Sequence, residues 1–141
     1  MTIRLAENFE YPQVLAHYEA CNYKGGLNEN DQVILAIDLD IIGAVRLCIE
    51  NDVKVLRGMY IKTGFRRKGI GASLLTYLKD HTAMEGCYCL PYRHLKKFYG
   101  IIGFEEITAQ AAPEFLAERF QRYSGAGGKD VIIMQIKKQT K

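Results

Sequence analysis

Residues 64–80, GFRRKGIGASLLTYLKD, set three consecutive cations, Arg66, Arg67 and Lys68, against Gly69 and Gly71 and run directly into an apolar pattern of helical spacing. Two glycines let a ligand approach the backbone, and the first N–H groups of a helix have no partner within it. The helix dipole adds partial positive charge at that end, and the three side chains add full charges. The chemistry this suits is the binding of a phosphate or pyrophosphate. A nucleoside triphosphate loop needs Gly-x-x-x-x-Gly-Lys-Ser/Thr, and a dinucleotide fingerprint needs a third glycine with a downstream acid; the segment has neither. A second candidate constellation, Cys87 and Cys89 in GCYCLPY, would share one face of a strand. His81 and His94 do not complete a ligand pattern with them, so no metal is expected, and all four cysteines, with Cys21 and Cys48, read as reduced and buried.

Around these residues stands a chain of 141 residues, the length of one domain spanning residues 1–141. Its 48% hydrophobic and 25% charged residues are those of a folded globular protein, and its net charge of +3 is too mild to argue for a nucleic-acid partner. The N-terminus lacks the apolar core of a secretory signal, and no apolar run reaches membrane-spanning length, so a cytoplasmic location without a membrane partner is expected.

TIRLA reads as a strand, and YPQVLAHYEACNY as a helix with apolar residues at helical spacing, Val14, Leu15, Tyr18 and Cys21. QVILAID, IIGAVRLCIE and VKVLRGMYI, separated by LD and ND, predict an antiparallel meander. From Gly69 the residues Ile70, Leu74, Leu75 and Leu78 predict an amphipathic helix packed on a sheet. CYCLPY, RHLKKFYGII and GFEEI then read as strand, helix and strand, and with VKVLRGMYI and the helix after it they make strand, helix, strand, helix, strand, a pattern that predicts parallel pairing through crossovers. Pro113 opens a further helix, PEFLAERFQRY, with Glu114 in its first turn and Arg119 and Arg122 in its last, which matches the helix dipole. DVIIMQI closes the chain as an apolar strand inside the sheet. The fold class is α/β (α+β), with a mixed central sheet of about six or seven strands flanked by helices.

The stretch VLRGMYIKTGFRRKGIGASLLTYLKD resembles the acetyl-coenzyme A signature of the GNAT superfamily of N-acetyltransferases: a strand, then Arg/Gln-x-x-Gly-x-Gly/Ala, then a helix. KKFYGIIGFEEI resembles the family's second landmark, an aromatic-Tyr pair on a helix followed by Gly-Phe entering a strand. The resemblance covers roughly residues 53–107 at motif level.

It implies a GNAT fold and an acetyl-CoA-dependent N-acetyltransferase whose partners are acetyl-CoA and a small amine. It implies that Arg66, Arg67, Lys68, Gly69, Gly71 and Ala72 border the pyrophosphate, and that Met59, Tyr60 and Ile61 form the strand whose backbone pairs with the pantetheine arm. Tyr99 falls where many members place the acid that protonates the departing thiolate. Members often pair, which allows a homodimer.

Two departures from the family stand out. Arg57 occupies the strand position where many members carry a glutamate base, leaving Glu50, Glu105 and Glu106, or solvent, to take the amine proton. Tyr92 replaces a frequent asparagine, which unsettles local capping. Strand alternation from Val53 would put Val55, Arg57, Met59 and Ile61 on one face, with Arg46 near Arg57 across the sheet. Two arginines there would suit an acceptor carboxylate, as on an amino acid, against the alternative of an internal salt bridge to Glu50. The competing function is a catalytically silent CoA-binding module that senses acetyl-CoA or binds a partner. A third class, nucleic-acid binding through FRRKG and RHLKK, lacks an accompanying base-stacking arrangement.

Overall fold

The computed structural model describes residues 1–138, and the chain divides into two compact units, one over Met1–Ala83 and one beginning at Met84. In the first unit, β1 (Thr2–Leu5), β2 (Gln32–Asp38), β3 (Asp40–Glu50) and β4 (Val53–Ile61) pair consecutively as an antiparallel sheet. The meander read from the sequence is therefore present. Asn51 and Asp52, at φ 50° and 63°, form the two-residue link between β3 and β4. A tight hairpin turn with the twist of its strands needs positive φ at both positions, and Asn and Asp tolerate it.

Two helices cover the sheet. α1 (Tyr11–Ala20), with Pro12 in its first turn, packs Val14 and Tyr18 against Val33, Leu35 and Ala44. Its buried residues are Val14, His17 and Tyr18, whereas Leu15 is 44% exposed. Of the residues at apolar spacing Leu15 therefore falls off the buried face, and a histidine takes an inward place. α2 (Ile70–His81) buries Ile70, Leu74, Leu75 and Leu78, the stripe that the spacing predicts. Each such side chain contributes about 1.5–3 kcal/mol when withdrawn from water. A Cβ on Gly43 would stand 2.8 Å from Ile61 Cδ1 and 3.3 Å from Ile70 Cγ2, so glycine is what lets these two side chains lie flat on β3.

The second unit holds β5 (Tyr88–Cys89), α3 (Lys96–Gly100), β6 (Phe104–Ile107), α4 (Glu114–Gln121) and β7 (Ile133–Ile136). RHLKKFYGII is not one helix: Arg93–Leu95 is a 3-10 turn that leads into the short α3. Tyr92 gives that turn no side-chain cap; its carbonyl accepts from Leu95 N at 2.9 Å. β7 pairs antiparallel with β5 on one side and β6 on the other. Within this unit, then, the expected parallel pairing of β5 with β6 gives way to insertion of the chain's last strand between them. Val131, Ile132, Ile133 and Met134 are all buried, and a strand so apolar gains most with a neighbour on each edge. α4 follows Pro113 as expected, its Glu114 in the first turn, and continues as a π-helical turn over Arg122–Ala126.

Among the described residues no helix is long and apolar enough to cross a membrane, and no group of three or more His, Cys, Asp or Glu is arranged to hold a metal ion. Cys48, Cys87 and Cys89 are buried and Cys21 is half-buried, and none of the four is in a disulfide. Burial pushes Cys48 up to about 12 and Cys89 well above the ordinary thiol value, so both act as small apolar groups.

Candidate active site

The turn between β4 and α2 carries the cations. Arg67 and Gly69 both adopt left-handed backbone, at φ 63° and 78°. Alternating left- and right-handed residues curl successive N–H groups toward one side, the geometry of an anion-binding nest. Gly69 is the N-cap of α2, and the first i to i−4 bond runs from Ser73 N to Gly69 O at 3.0 Å. The N–H groups of Ile70, Gly71 and Ala72 precede that bond and stand at the positive end of the helix dipole. Arg66, Arg67 and Lys68 are all exposed. Arg66 Nε donates to Ile61 O at 3.1 Å, which ties the turn to the strand end without using the two amino groups of the guanidinium. Lys68 Nζ lies 5.7 Å from the centre of the Phe65 ring. An ideal Cβ on Gly69 meets nothing within 4 Å. The glycine is needed there for its backbone angle, and the space beside it is open.

Just before the turn, β4 is irregular. Arg57 faces Arg46 and Tyr60 faces Ala44, so Gly58 and Met59 together oppose the single residue Val45. This is a β-bulge, with Gly58 at φ 66° supplying the left-handed residue such a bulge requires. The bulge reverses the alternation expected from Val53. Arg57 and Tyr60 share a face with Arg46 and Ala44, while Ile61 lies on the other face with Gly43 and Ile70. Met59 and Ile61 are therefore not the continuation of the Arg57 face.

Two side chains of α1 reach this bulge. Tyr18 OH donates to Gly58 O at 2.8 Å and His17 Nε2 lies 3.0 Å from Tyr60 O. Because a carbonyl only accepts, Nε2 carries the proton, and Nδ1 is a buried acceptor without a partner. Burial lowers the His17 pKa, against the bond to Tyr60 that raises it, and keeps the ring neutral. Tyr18, Tyr23 and Tyr60 pack as a trio, with ring centres 4.9 Å apart for Tyr18 and Tyr23 and 4.8 Å for Tyr23 and Tyr60. A pocket of about 290 Å³ is lined by Leu15, Tyr18, Glu19, Tyr23, Lys24 and Gly26.

Arg46 and Arg57 do sit across from one another. Arg46 is 1% exposed, and its Nη1 donates to Asp31 Oδ2 at 2.7 Å while Nη2 donates to the Tyr23 hydroxyl. Asp31 Oδ2 also accepts from Asn28 N at 3.0 Å, so the pair fastens the segment after α1 to the sheet. Arg57 is half-buried, with Nη1 at 3.7 Å from Glu50 Oε1. Internal partners thus meet both guanidinium groups, the ion pair with Glu50 included. The other carboxylates considered as bases are also beside cations: Glu105 at 3.5 Å from Lys137, and Glu106 at 3.0 Å from Lys96 and 3.6 Å from Arg93. Those last contacts draw two cations of RHLKK into ion pairs within the second unit.

Tyr99 belongs to that unit. It is 8% exposed on α3, edge-on to Phe98 and to Phe104, at 4.9 and 6.0 Å between ring centres. Of the aromatic pair it is the more deeply buried member. Sequence reasoning missed His17, Tyr18, Tyr23 and Asp31 as neighbours of the site. One signal for the bulge was present: a lone glycine, Gly58, inside a strand pattern.

A family model described as the acetyltransferase (GNAT) domain matches residues 29–106. The chain belongs to that family of acyltransferases, whose members use acetyl-CoA. Comparison with curated protein sequences gives no match. Among solved structures the chain is similar to an aminoglycoside 6′-N-acetyltransferase complexed with coenzyme A, at TM-score 0.68 and 16% identity over 100% of each chain. It is also similar to the ribosomal-protein-S18-alanine N-acetyltransferase of Escherichia coli, at 0.67 and 17%, over 99% of this chain and 96% of that one. A GNAT-family acetyltransferase of Staphylococcus aureus Mu50 gives 0.60 and 21%, over 80% and 89%. At these identities the likeness establishes the GNAT fold, with the seven strands and four α-helices described above.

Proposed function

We propose that the protein is an acetyl-CoA-dependent N-acetyltransferase acting on the primary amine of a small molecule. The observation that carries this is the turn at residues 66–72, where left-handed backbone at Arg67 and Gly69 presents the N-terminus of α2 beside three exposed cations. Such a turn binds a pyrophosphate through main-chain N–H groups, and a strand with a broken register immediately before it offers backbone groups to an extended arm. In the transfer the amine nitrogen forms a bond to the thioester carbon, the carbonyl oxygen takes up charge, and the carbon–sulfur bond breaks to release a thiolate. Tyr99, by its place in the family landmark, donates a proton to that sulfur and takes one back from solvent before the next turnover; an ordinary tyrosine hydroxyl is protonated at neutral pH. The amine proton goes to solvent, because Glu50, Glu105 and Glu106 each face a cation. A carboxylate-bearing acceptor, such as an amino acid, is supported by Arg57, whose side chain is 27% exposed and so stays open to solvent beside its ion pair with Glu50.

The test is release of free CoA thiol from acetyl-CoA with amino acids, polyamines, aminoglycosides and peptide N-termini as acceptors. Turnover with an amine that falls about 100-fold or more in Tyr99→Phe supports the reading. The same ion-paired carboxylates favour a second reading, a CoA-binding module without transferase activity. Calorimetric binding of acetyl-CoA with no thiol release from any acceptor class would establish the second reading over the first.

A further inference from the structure

We propose that Tyr18 and His17 are positioning residues for acetyl transfer, holding the bulge of β4 so that the Met59 N–H is aimed at the thioester carbonyl oxygen. This rests on the reading of Met59–Ile61 as the strand that meets the acetyl-pantetheine arm.

The argument begins with the peptide plane. Gly58 C=O and Met59 N–H belong to one trans peptide group, so they point in opposite directions and turn together. Tyr18 OH donates to Gly58 O at 2.8 Å. It therefore fixes the plane from the oxygen end and directs the Met59 N–H away from α1. The next pinned plane contains Tyr60 C=O and Ile61 N–H, held by His17 Nε2 at 3.0 Å. Donation to a carbonyl also polarises the peptide group and makes its N–H a stronger donor.

This support is needed at the bulge more than elsewhere. Gly58 and Met59 oppose one residue of β3, so regular ladder pairing does not fix their orientation. A glycine at φ 66° has wide conformational freedom of its own. Its surroundings supply the constraint: a Cβ at Gly58 would stand 3.0 Å from Tyr18 OH and 3.1 Å from Arg46 Nε. Tyr18 is itself held, 3% exposed, between the rings of Tyr23 and Tyr60, and Tyr23 OH accepts from Arg46. The buried Arg46–Asp31 pair thus stands behind Tyr18 in one continuous network. A donor preset toward a developing oxyanion acts without reorganising during the reaction, which is where such groups have their largest effect.

The experiment compares wild type with Tyr18→Phe, which keeps the ring and removes the hydroxyl. Thiol release should show kcat lower by about 10- to 100-fold, less than the loss of a donor itself, with KM for acetyl-CoA changed by less than about twofold. Isotope-edited infrared spectra of bound acetyl-CoA labelled at the acetyl carbonyl carbon should show the thioester band at higher frequency in the variant. A packing role alone would move the melting temperature and leave that band in place. His17→Leu should act in the same direction, and His17→Gln, whose amide nitrogen reaches the place of Nε2, should restore most of the loss. This second pair keeps the test decisive if Tyr18→Phe fails to fold. A folded Tyr18→Phe protein, or a folded His17→Leu protein, with wild-type kcat and an unmoved carbonyl band overturns the proposal. Wild-type protein that does not bind acetyl-CoA overturns the transferase reading, and this proposal with it, a result distinct from binding and turnover that ignore residues 17 and 18.

Discussion

Two regions of the first unit flank the end of β4, and they are built on opposite principles. The turn before α2 keeps Arg66, Arg67 and Lys68 in water, and the N–H groups of Ile70, Gly71 and Ala72 stand ahead of the first helical bond. Beneath α1, polar groups at Arg46, Asp31, Tyr18, Tyr23 and His17 are closed off and spend nearly all their hydrogen bonds on one another or on the backbone. An exposed cation costs little to keep and contributes little to stability, so the turn can be specialised for a ligand. A buried ion pair costs much to desolvate; here Asp31 and Tyr23 meet both Nη groups of Arg46 while its Nε is left without a partner, so the α1 side is held by shape as well as by charge. Substitutions in the two regions should therefore fail in different ways.

The largest effect is expected in the buried region. Arg46→Met leaves Asp31 3% exposed without its cation and should destabilise the fold by about 3–5 kcal/mol, read from urea denaturation. Replacing both partners, as Arg46→Met with Asp31→Leu, should recover much of that loss, because no uncompensated charge remains. A double variant as unstable as the single one would show that shape and not charge compensation governs the region.

In the turn the expectation is reversed. Gly71→Glu should weaken acetyl-CoA binding by about 100-fold or more in calorimetry, since a carboxylate at the helix N-terminus competes with the pyrophosphate for the same donors. The fold should be unaffected, because an acid in a first helical turn is favourable to the dipole. If affinity is unchanged, the turn is not the coenzyme site.

The contrast also explains what could be read from sequence. In the turn everything that matters is contiguous: three cations, two glycines and the helix stripe from Ile70 to Leu78 form one segment, so linear inspection found it. The hairpin at Asn51 and Asp52 was legible for the same reason. The buried region is made by register and by distance along the chain. Asp31 meets Arg46 from 15 positions away, and Tyr18 meets Gly58 from 40. The bulge shifted the parity of β4 after Arg57, which simple alternation could not register, and the place of β7 between β5 and β6 depends on pairing at long range. His17 was passed over because a polar residue carries no weight in an apolar stripe.

A smaller effect sharpens the boundary between the regions at Arg57, the one arginine of the pair that stays partly open. Arg57→Gln should raise KM for a carboxylate-bearing acceptor by about tenfold, the scale of one charged hydrogen bond, and leave acetyl-CoA affinity unchanged. A screen in which a carboxylate-free polyamine is preferred over amino acids would remove this role from Arg57.

The smallest expected effect is a pH dependence of stability that, between pH 7.5 and 5, comes from the buried region. Burial lowers the His17 pKa below its ordinary 6.5, although the bond to Tyr60 opposes the shift; Lys62 lowers it further and Asp40 raises it. Above 6.5 the imidazole is neutral in both folded and unfolded chains and has no effect on the balance. As pH falls below 6.5 the unfolded chain takes up the proton first, so it binds more protons than the native state and stability declines. The decline continues until the native ring also protonates at its lower pKa. Glu10 acts in a separate window: its hydrogen bonds from Arg4 hold it at about 2, so its contribution is present above 4.5 and is lost as pH falls toward 2. Denaturation midpoints between pH 7.5 and 5 should thus fall in wild type and fall less in His17→Gln, which keeps a donor for Tyr60 O but does not titrate. Below pH 4.5 the two proteins should lose stability together. Parallel curves across the upper window would mean that the ring is not held neutral by its surroundings, and that the α1 side of the bulge is wetter than its geometry requires.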